Sequence, residues 1–244
     1  MKSKIKNIDV NYLEYGNEKG KPIVFLHGWG QNIEMMKIIS EYYKKDYRLI
    51  LIDLPGFGET KKPESAWLIT DYRELVYELL QKLKVDKPIM IGHSFGGKIT
   101  LSYASKYECE KIILLASPFR KGIKKLSLKV KMLKSLKKVP GLNKFEEFAK
   151  KHIGSRDYKA ADPLMRQILV EHVNLDITED VKKIKCPAFI IWGDLDDEVP
   201  YEEAYELENL IKDSGVVILE GGTHYAYIEF LPRVVSIINA FLKD

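Results

Sequence analysis

Cysteine is scarce in this sequence: 244 residues hold two, Cys109 and Cys186, far apart in the chain. Their spacing matches no metal site, and a disulfide framework would need more of them. Both read as buried thiols. No apolar run reaches the roughly eighteen residues of a membrane span, and the opening MKSKIKNIDVNYLEYG carries charge with no apolar segment behind it. A soluble, cytoplasmic protein without a transmembrane segment is the expectation. Excess charge is missing too, because 39 Lys and Arg against 35 Asp and Glu leave only +4. That balance does not by itself imply nucleic-acid binding, and no nucleic-acid partner is expected. Repeats, low-complexity tracts, long Gly/Ser linkers and His/Cys/Asp/Glu clusters with metal spacing are absent as well, so neither a metal nor a cofactor is implied. At 45% hydrophobic and 30% charged residues, the length suits one globular domain, or one domain carrying an insertion.

What the chain does have is alternation. Short apolar runs rich in β-branched residues, bounded by Gly, Pro or charge, lie at 21–28, 47–56, 87–94, 110–117, 186–194 and 215–222. They read as buried parallel strands. Helical spacing fills 33–45, 66–83, 96–107, 200–212 and 232–243, and residues 4–15 alternate as an antiparallel edge. Strand and helix repeated in this way give an α/β fold, an open and mostly parallel sheet with helices on both faces. Ligands of such sheets sit where strands end at their carboxyl termini. From Pro118 to Ile184 no strand-like run occurs, and helices are expected over 122–139, 143–152 and 163–174. The core is therefore expected over 1–117 and 185–244, with 118–184 a helical cap inserted between two core strands.

The stretch G-H-S-F-G, residues 92–96, follows an expected strand and opens an expected helix. That context fits a nucleophile elbow, in which Ser94 sits on a strained turn and Gly92 and Gly96 leave room for neighbouring backbone. A serine hydroxyl needs a base to take its proton and a carboxylate to orient that base. Of five histidines, His27, His93, His152, His172 and His224, only His224 follows the last strand in the order Ser, acid, His. His93, beside Ser94 on a tight turn, is expected to point elsewhere. The acid comes from WGDLDDEVP, where Asp194, Asp196 and Asp197 all follow a strand and any one could accept from His224. The backbone N–H of Phe95, opening the helix after Ser94, is a natural oxyanion donor, and the second donor belongs in the HGWG loop. DLPGFGET, although glycine-rich, lacks the phosphate-loop pattern and reads as a structural turn near the pocket mouth.

These residues carry a likeness. LHGWG (26–30), DLPGFGET (53–60), GHSFGG (92–97), WGDLDDEVP (192–200) and GGTHY (221–225) stand in the order found in the α/β-hydrolase superfamily, which the chain resembles over nearly its whole length. The resemblance implies the α/β-hydrolase fold with its helical cap. It selects Asp196, three residues after Gly193, as the acid, His224 as the base, and the backbone N–H of Trp29 as the second oxyanion donor. Dehalogenases and epoxide hydrolases of this superfamily carry an aspartate where Ser94 stands, so acyl transfer to water through a Ser94-His224-Asp196 triad is the implied chemistry. Its substrates would be carboxylic esters, thioesters or lactones of small or medium acyl groups. The same triad also suits hydrolysis of β-diketone C–C bonds, and the same fold suits a ligand-binding receptor. The residues that would hold the substrate are not legible. Residues 120–138 are dense in Lys and Arg with no acid, and Ile123, Leu126, Val130, Leu133 and Leu136 form an apolar stripe. Such a basic amphipathic helix could dock an acidic carrier protein or an anionic surface. The HGWGQN loop is similar to that of pimeloyl-carrier-protein methyl ester esterases, although His93 stands where a tryptophan would be expected in that family.

Overall fold

In the computed structural model, which describes residues 1–122 and 156–243, the six apolar runs form the parallel body of one sheet. Its strands are β1 (Lys2–Ile5), β2 (Ile8–Gly16), β3 (Pro22–Leu26), β4 (Arg48–Ile52), β5 (Ile89–His93), β6 (Lys111–Leu115), β7 (Ala188–Gly193) and β8 (Ser214–Leu219). They lie in the order β1-β2-β4-β3-β5-β6-β7-β8. β1 and β2 form the expected antiparallel edge, and every pair from β4 to β8 is parallel. The positive φ of Lys6 and Asn7 makes the tight turn between the first two strands. Register brings the carboxyl ends level, with Leu26 beside Gly92, His93 beside Leu115 and Gly193 beside Leu219.

The apolar runs are continuous because both sheet faces are covered. Alternate residues sort to opposite sides. Val24, Leu26, Ile50, Ile52, Met90, Leu114 and Trp192 pack under α2 (Ile69–Lys82), α3 (Phe95–Ala104) and a later helix bearing Ala204 and Leu207. Ile23, Phe25, Leu49, Leu51, Ile91 and Leu115 pack under α1 (Ile33–Ser40) and a C-terminal helix through Val234 and Ile238. The DLPGFGET segment is held by Asp53, which is buried and accepts from Asn11 Nδ2 (2.8 Å), the Ile33 N–H (2.8 Å) and the Glu59 N–H (2.9 Å).

Between β6 and β7 the described residues form no strand and three helices: α4 (Arg156–Ala160), α5 (Pro163–Asn174) and α6 (Thr178–Val181). The remaining helices are α7 (Glu202–Leu210), α8 (Ala226–Glu229) and α9 (Leu231–Lys243). α5 has the bounds its sequence suggests. Asp162 caps it by accepting from the Leu164 and Met165 N–H groups, and Pro163 fills the first turn, where no N–H is needed. The expected helix over 143–152, that over 122–139 beyond Gly122, and His152 lie outside the described residues. The two ends of this segment are stitched together by Gly122 N–H to Val173 O (2.9 Å) and Ile177 N–H to Phe119 O (2.9 Å).

Cys109 and Cys186, expected as buried thiols, are free and only half-buried. They lie just before the amino ends of the paired strands β6 and β7, where Cys109 Sγ donates to Tyr107 O (4.0 Å). No helix of the described residues is long and apolar enough to cross a membrane.

Candidate active site

Strand β5 stops at His93 and helix α3 starts at Phe95, so Ser94 alone makes the turn. It does so at φ +50°, ψ −110°, a strained conformation for a residue with a side chain. Its N–H donates to Leu115 O (2.9 Å), and its carbonyl accepts from the Lys98 N–H (3.0 Å). The flanking glycines follow from close approach. A Cβ on Gly92 would lie 2.6 Å from Gly96 O, and one on Gly96 would lie 2.3 Å from Leu26 O. Helix α3 could not leave the sheet at this angle with alanines there.

His224 stands in the loop after β8, which turns at Gly221 with φ +78°. The ring is 4% exposed, and its Nδ1 is 2.7 Å from Asp196 Oδ2. The three aspartates left open by the sequence separate clearly. Asp196 also accepts the N–H groups of Glu198 and Val199 (both 2.9 Å), which aims its second oxygen at the imidazole. Asp194 instead braces the Gly221 N–H (2.7 Å), and Asp197 is exposed.

The other described histidines have structural work. His27 is fully buried, donates to Gly28 O (2.8 Å) and accepts from the Leu54 N–H (3.0 Å), tying the ends of β3 and β4. Burial pulls its pKa down to about 4. The His172 ring meets Phe95 edge-on at 4.6 Å. His93 does not simply point away from the site, as its place on the turn suggests. Its ring lies 4.9 Å from that of His224, and its Nε2 donates to the His224 carbonyl (3.0 Å), fixing the loop that carries the imidazole. Burial, helped by the neighbouring His224, keeps His93 uncharged with a pKa well below the usual value.

Ser94, His93 and His224 line one cleft together with Trp29, Gln31, Asp157, Glu198 and Tyr225. The Trp29 ring packs edge-on against Phe57 (4.9 Å) and Phe95 (5.3 Å) at its wall. The backbone N–H groups of Trp29 and Phe95 make no backbone hydrogen bond among the described residues. Burial opposes charge on His224, but the Asp196 hydrogen bond and the charges of Asp196, Glu198 and Asp157 outweigh it and hold the imidazole above its ordinary pKa. The arrangement brings together a strained hydroxyl, a carboxylate-held imidazole whose Nε2 has no hydrogen-bond partner among the described residues, and two free N–H donors. These are the parts needed to deprotonate an alcohol, form an acyl-enzyme and stabilise an oxyanion. Among the described residues no group of three or more His, Cys, Asp or Glu could hold a metal ion.

Sequence reasoning did not reach Gln31, Asp157 or Glu198. Glu198 sits in the same acidic run as Asp196, but nothing there marks it apart from its neighbours. Asp157 lies on α4, where no motif points to the cleft.

Comparison with known proteins bears on the fold. A family model described as the alpha/beta hydrolase fold matches residues 21–127. The chain is 29% identical to Lipase 1 of Psychrobacter immobilis, covering 94% of this chain and 79% of that protein. It is 25% identical to a pimeloyl-[acyl-carrier protein] methyl ester esterase of Aliivibrio fischeri, covering 93% and 95%. A solved bacterial membrane phospholipase A superimposes with a TM-score of 0.81 at 22% identity, over 100% of this chain and 85% of that one, a likeness of fold.

Proposed function

The chain belongs to the α/β-hydrolase superfamily, and from that premise we propose that it is a serine hydrolase of carboxylic esters, thioesters or lactones with small or medium acyl groups. The observation that carries this reading is the 2.7 Å Asp196–His224 pair opening into the same cleft as the strained Ser94. The two relatives, named a lipase and a methyl ester esterase, support an ester as the scissile group.

In this reading His224 Nε2 takes the Ser94 proton as Oγ attacks the acyl carbon. The oxyanion then settles on the Trp29 and Phe95 N–H groups, each worth about 2.7–4 kcal/mol of barrier. The imidazolium returns the proton to the departing alkoxide, leaving acyl-Ser94. Water gives a proton to His224 and attacks the acyl carbon, Ser94 regains its proton, and the acid leaves. Asp196 holds the ring and stabilises its charged form. Residues 118–184 serve as the cap. In support, His172 of α5 touches Phe95, and Lys98 Nζ of α3 donates to His172 O (2.9 Å) and Leu175 O (2.6 Å).

The test is hydrolysis of p-nitrophenyl esters of increasing acyl length by the wild type and by Ser94→Ala. Turnover by the wild type that vanishes in the variant is the expected result. A silent wild type, or a variant as active as the wild type, overturns the reading.

A further inference from the structure

The cleft beside His224 is acidic. Glu198 Oε2 lies 3.9 Å from His224 Nε2, the ring nitrogen not engaged by Asp196. Asp157 faces it from α4, with Oδ1 4.0 Å from the position a Cβ would take on Gly30, so this carboxylate overhangs the loop after β3. Among the described residues neither carboxylate has a Lys or Arg partner, whereas Glu14, Glu74 and Glu206 each pair with an arginine. The other groups lining the cleft are Trp29, Gln31, His93, Ser94, His224 and Tyr225, with no Lys or Arg among them.

Acidic side chains on a surface would say little, but these border a site marked independently. His224 is 4% exposed, and its Nε2, without a hydrogen-bond partner among the described residues, faces the same cleft. Whatever reacts there must bring its groups up to that nitrogen. Two carboxylates with no basic partner among the described residues repel an anionic substrate and oppose the negative charge of the transition state. A cation carried by the substrate removes both penalties. The rings of Trp29 and Tyr225 in the same cleft suit such a cation, since aromatic faces attract ammonium groups.

We propose that the site selects esters bearing an ammonium group, held between Glu198 and Asp157 beside the aromatic wall of Trp29 and Tyr225. This rests on the serine-hydrolase reading above and adds the substrate's charge to it.

The test compares kcat/KM for ester pairs that differ only in charge. One pair is p-nitrophenyl 4-(trimethylammonio)butanoate and its carbon isostere p-nitrophenyl 5,5-dimethylhexanoate, and the other is acetylcholine and 3,3-dimethylbutyl acetate. They place the cation on the acyl and the alcohol side respectively. At least one pair should favour the cation by roughly tenfold or more, the scale of one cation–π contact. The preference should shrink with added NaCl, a readout that needs no variant, and collapse towards unity in Glu198→Gln and Asp157→Asn. Equal rates or a neutral preference in both pairs, or a preference that neither salt nor either variant moves, overturns the inference even while ester turnover keeps the hydrolase reading intact. If no ester is hydrolysed, that reading fails, and calorimetric titration of propylammonium against propanol decides the inference alone. Selective ammonium binding that is lost in the two variants supports it, and no binding overturns it.

Discussion

Two buried polar clusters meet the start of helix α3 one turn apart, at Ser94 and at Lys98, and the first of them lines a cleft. In the first, His224 and Asp196 stand beside Ser94, and the imidazole Nε2 has no hydrogen-bond partner among the described residues. In the second, Lys98 is 1% exposed and its ammonium is closed off by the carbonyls of His172 and Leu175. Nearby, buried Glu203 accepts from the Phe119 N–H (3.4 Å) and faces Arg120 Nε at 3.7 Å. Burial pulls Lys98 down to about 8 and pushes Glu203 up to about 7, while Asp196 and its acidic neighbours hold His224 above its ordinary value, so both clusters hold groups with shifted pKa values. Tuned pKa values therefore do not separate chemistry from architecture here. A lone pair that faces a cleft does. The closed cluster fastens the ends of the 118–184 segment to the helix that begins at the serine.

Single substitutions can break this contrast. His224→Ala should lower kcat for a p-nitrophenyl ester by on the order of 10⁶, the cost of losing a base that acts as a unit with its nucleophile, with folding unchanged by circular dichroism. Lys98→Met should do the reverse. Two buried carbonyls lose their donor, and urea unfolding should show a loss of about 3 kcal/mol, while the folded fraction still hydrolyses ester.

The closed cluster also has a pH signature. Burial raises Glu203 from 4.5 to about 7 in the folded protein, so between those values the folded chain holds a proton that the unfolded chain has released. Stability should then fall as pH rises through that window. Glu203→Gln should remove this part of the slope in urea midpoints measured from pH 4.5 to 7.

The smallest effect belongs to the open cluster. The charges facing His224 are Asp196, Glu198 and Asp157, while the adjoining His93 is kept neutral by burial. Removing one anion lowers the imidazole pKa, so Glu198→Gln should move the acid limb of the kcat/KM profile to lower pH. A limb that stays in place or moves upward would show that Glu198 does not act on the base.

Much of this architecture is legible in the sequence. Strands such as Ile23–Leu26 are buried on both faces and therefore read as unbroken apolar runs. Helix α1 was harder to bound. Tyr43 continues its apolar spacing and is 1% exposed, yet the helix stops at Ser40, whose hydroxyl bonds back to Lys37 O and meets Tyr15 Oη. Ser94, Asp196 and His224 are legible because each follows the carboxyl end of a strand, where this fold gathers ligands. The residues beside them are not. His93 adjoins Ser94 in sequence, yet the turn that exposes Ser94 sends the His93 ring under the His224 loop. Asp157 comes from a helix far from Gly30 in sequence, and no local pattern encodes their approach.

The most direct test of the account is fluorophosphonate labelling of the wild-type protein followed by peptide mapping. One adduct is expected, on Ser94, and it should fail to form in His224→Ala. No adduct, or an adduct on another residue, would contradict it.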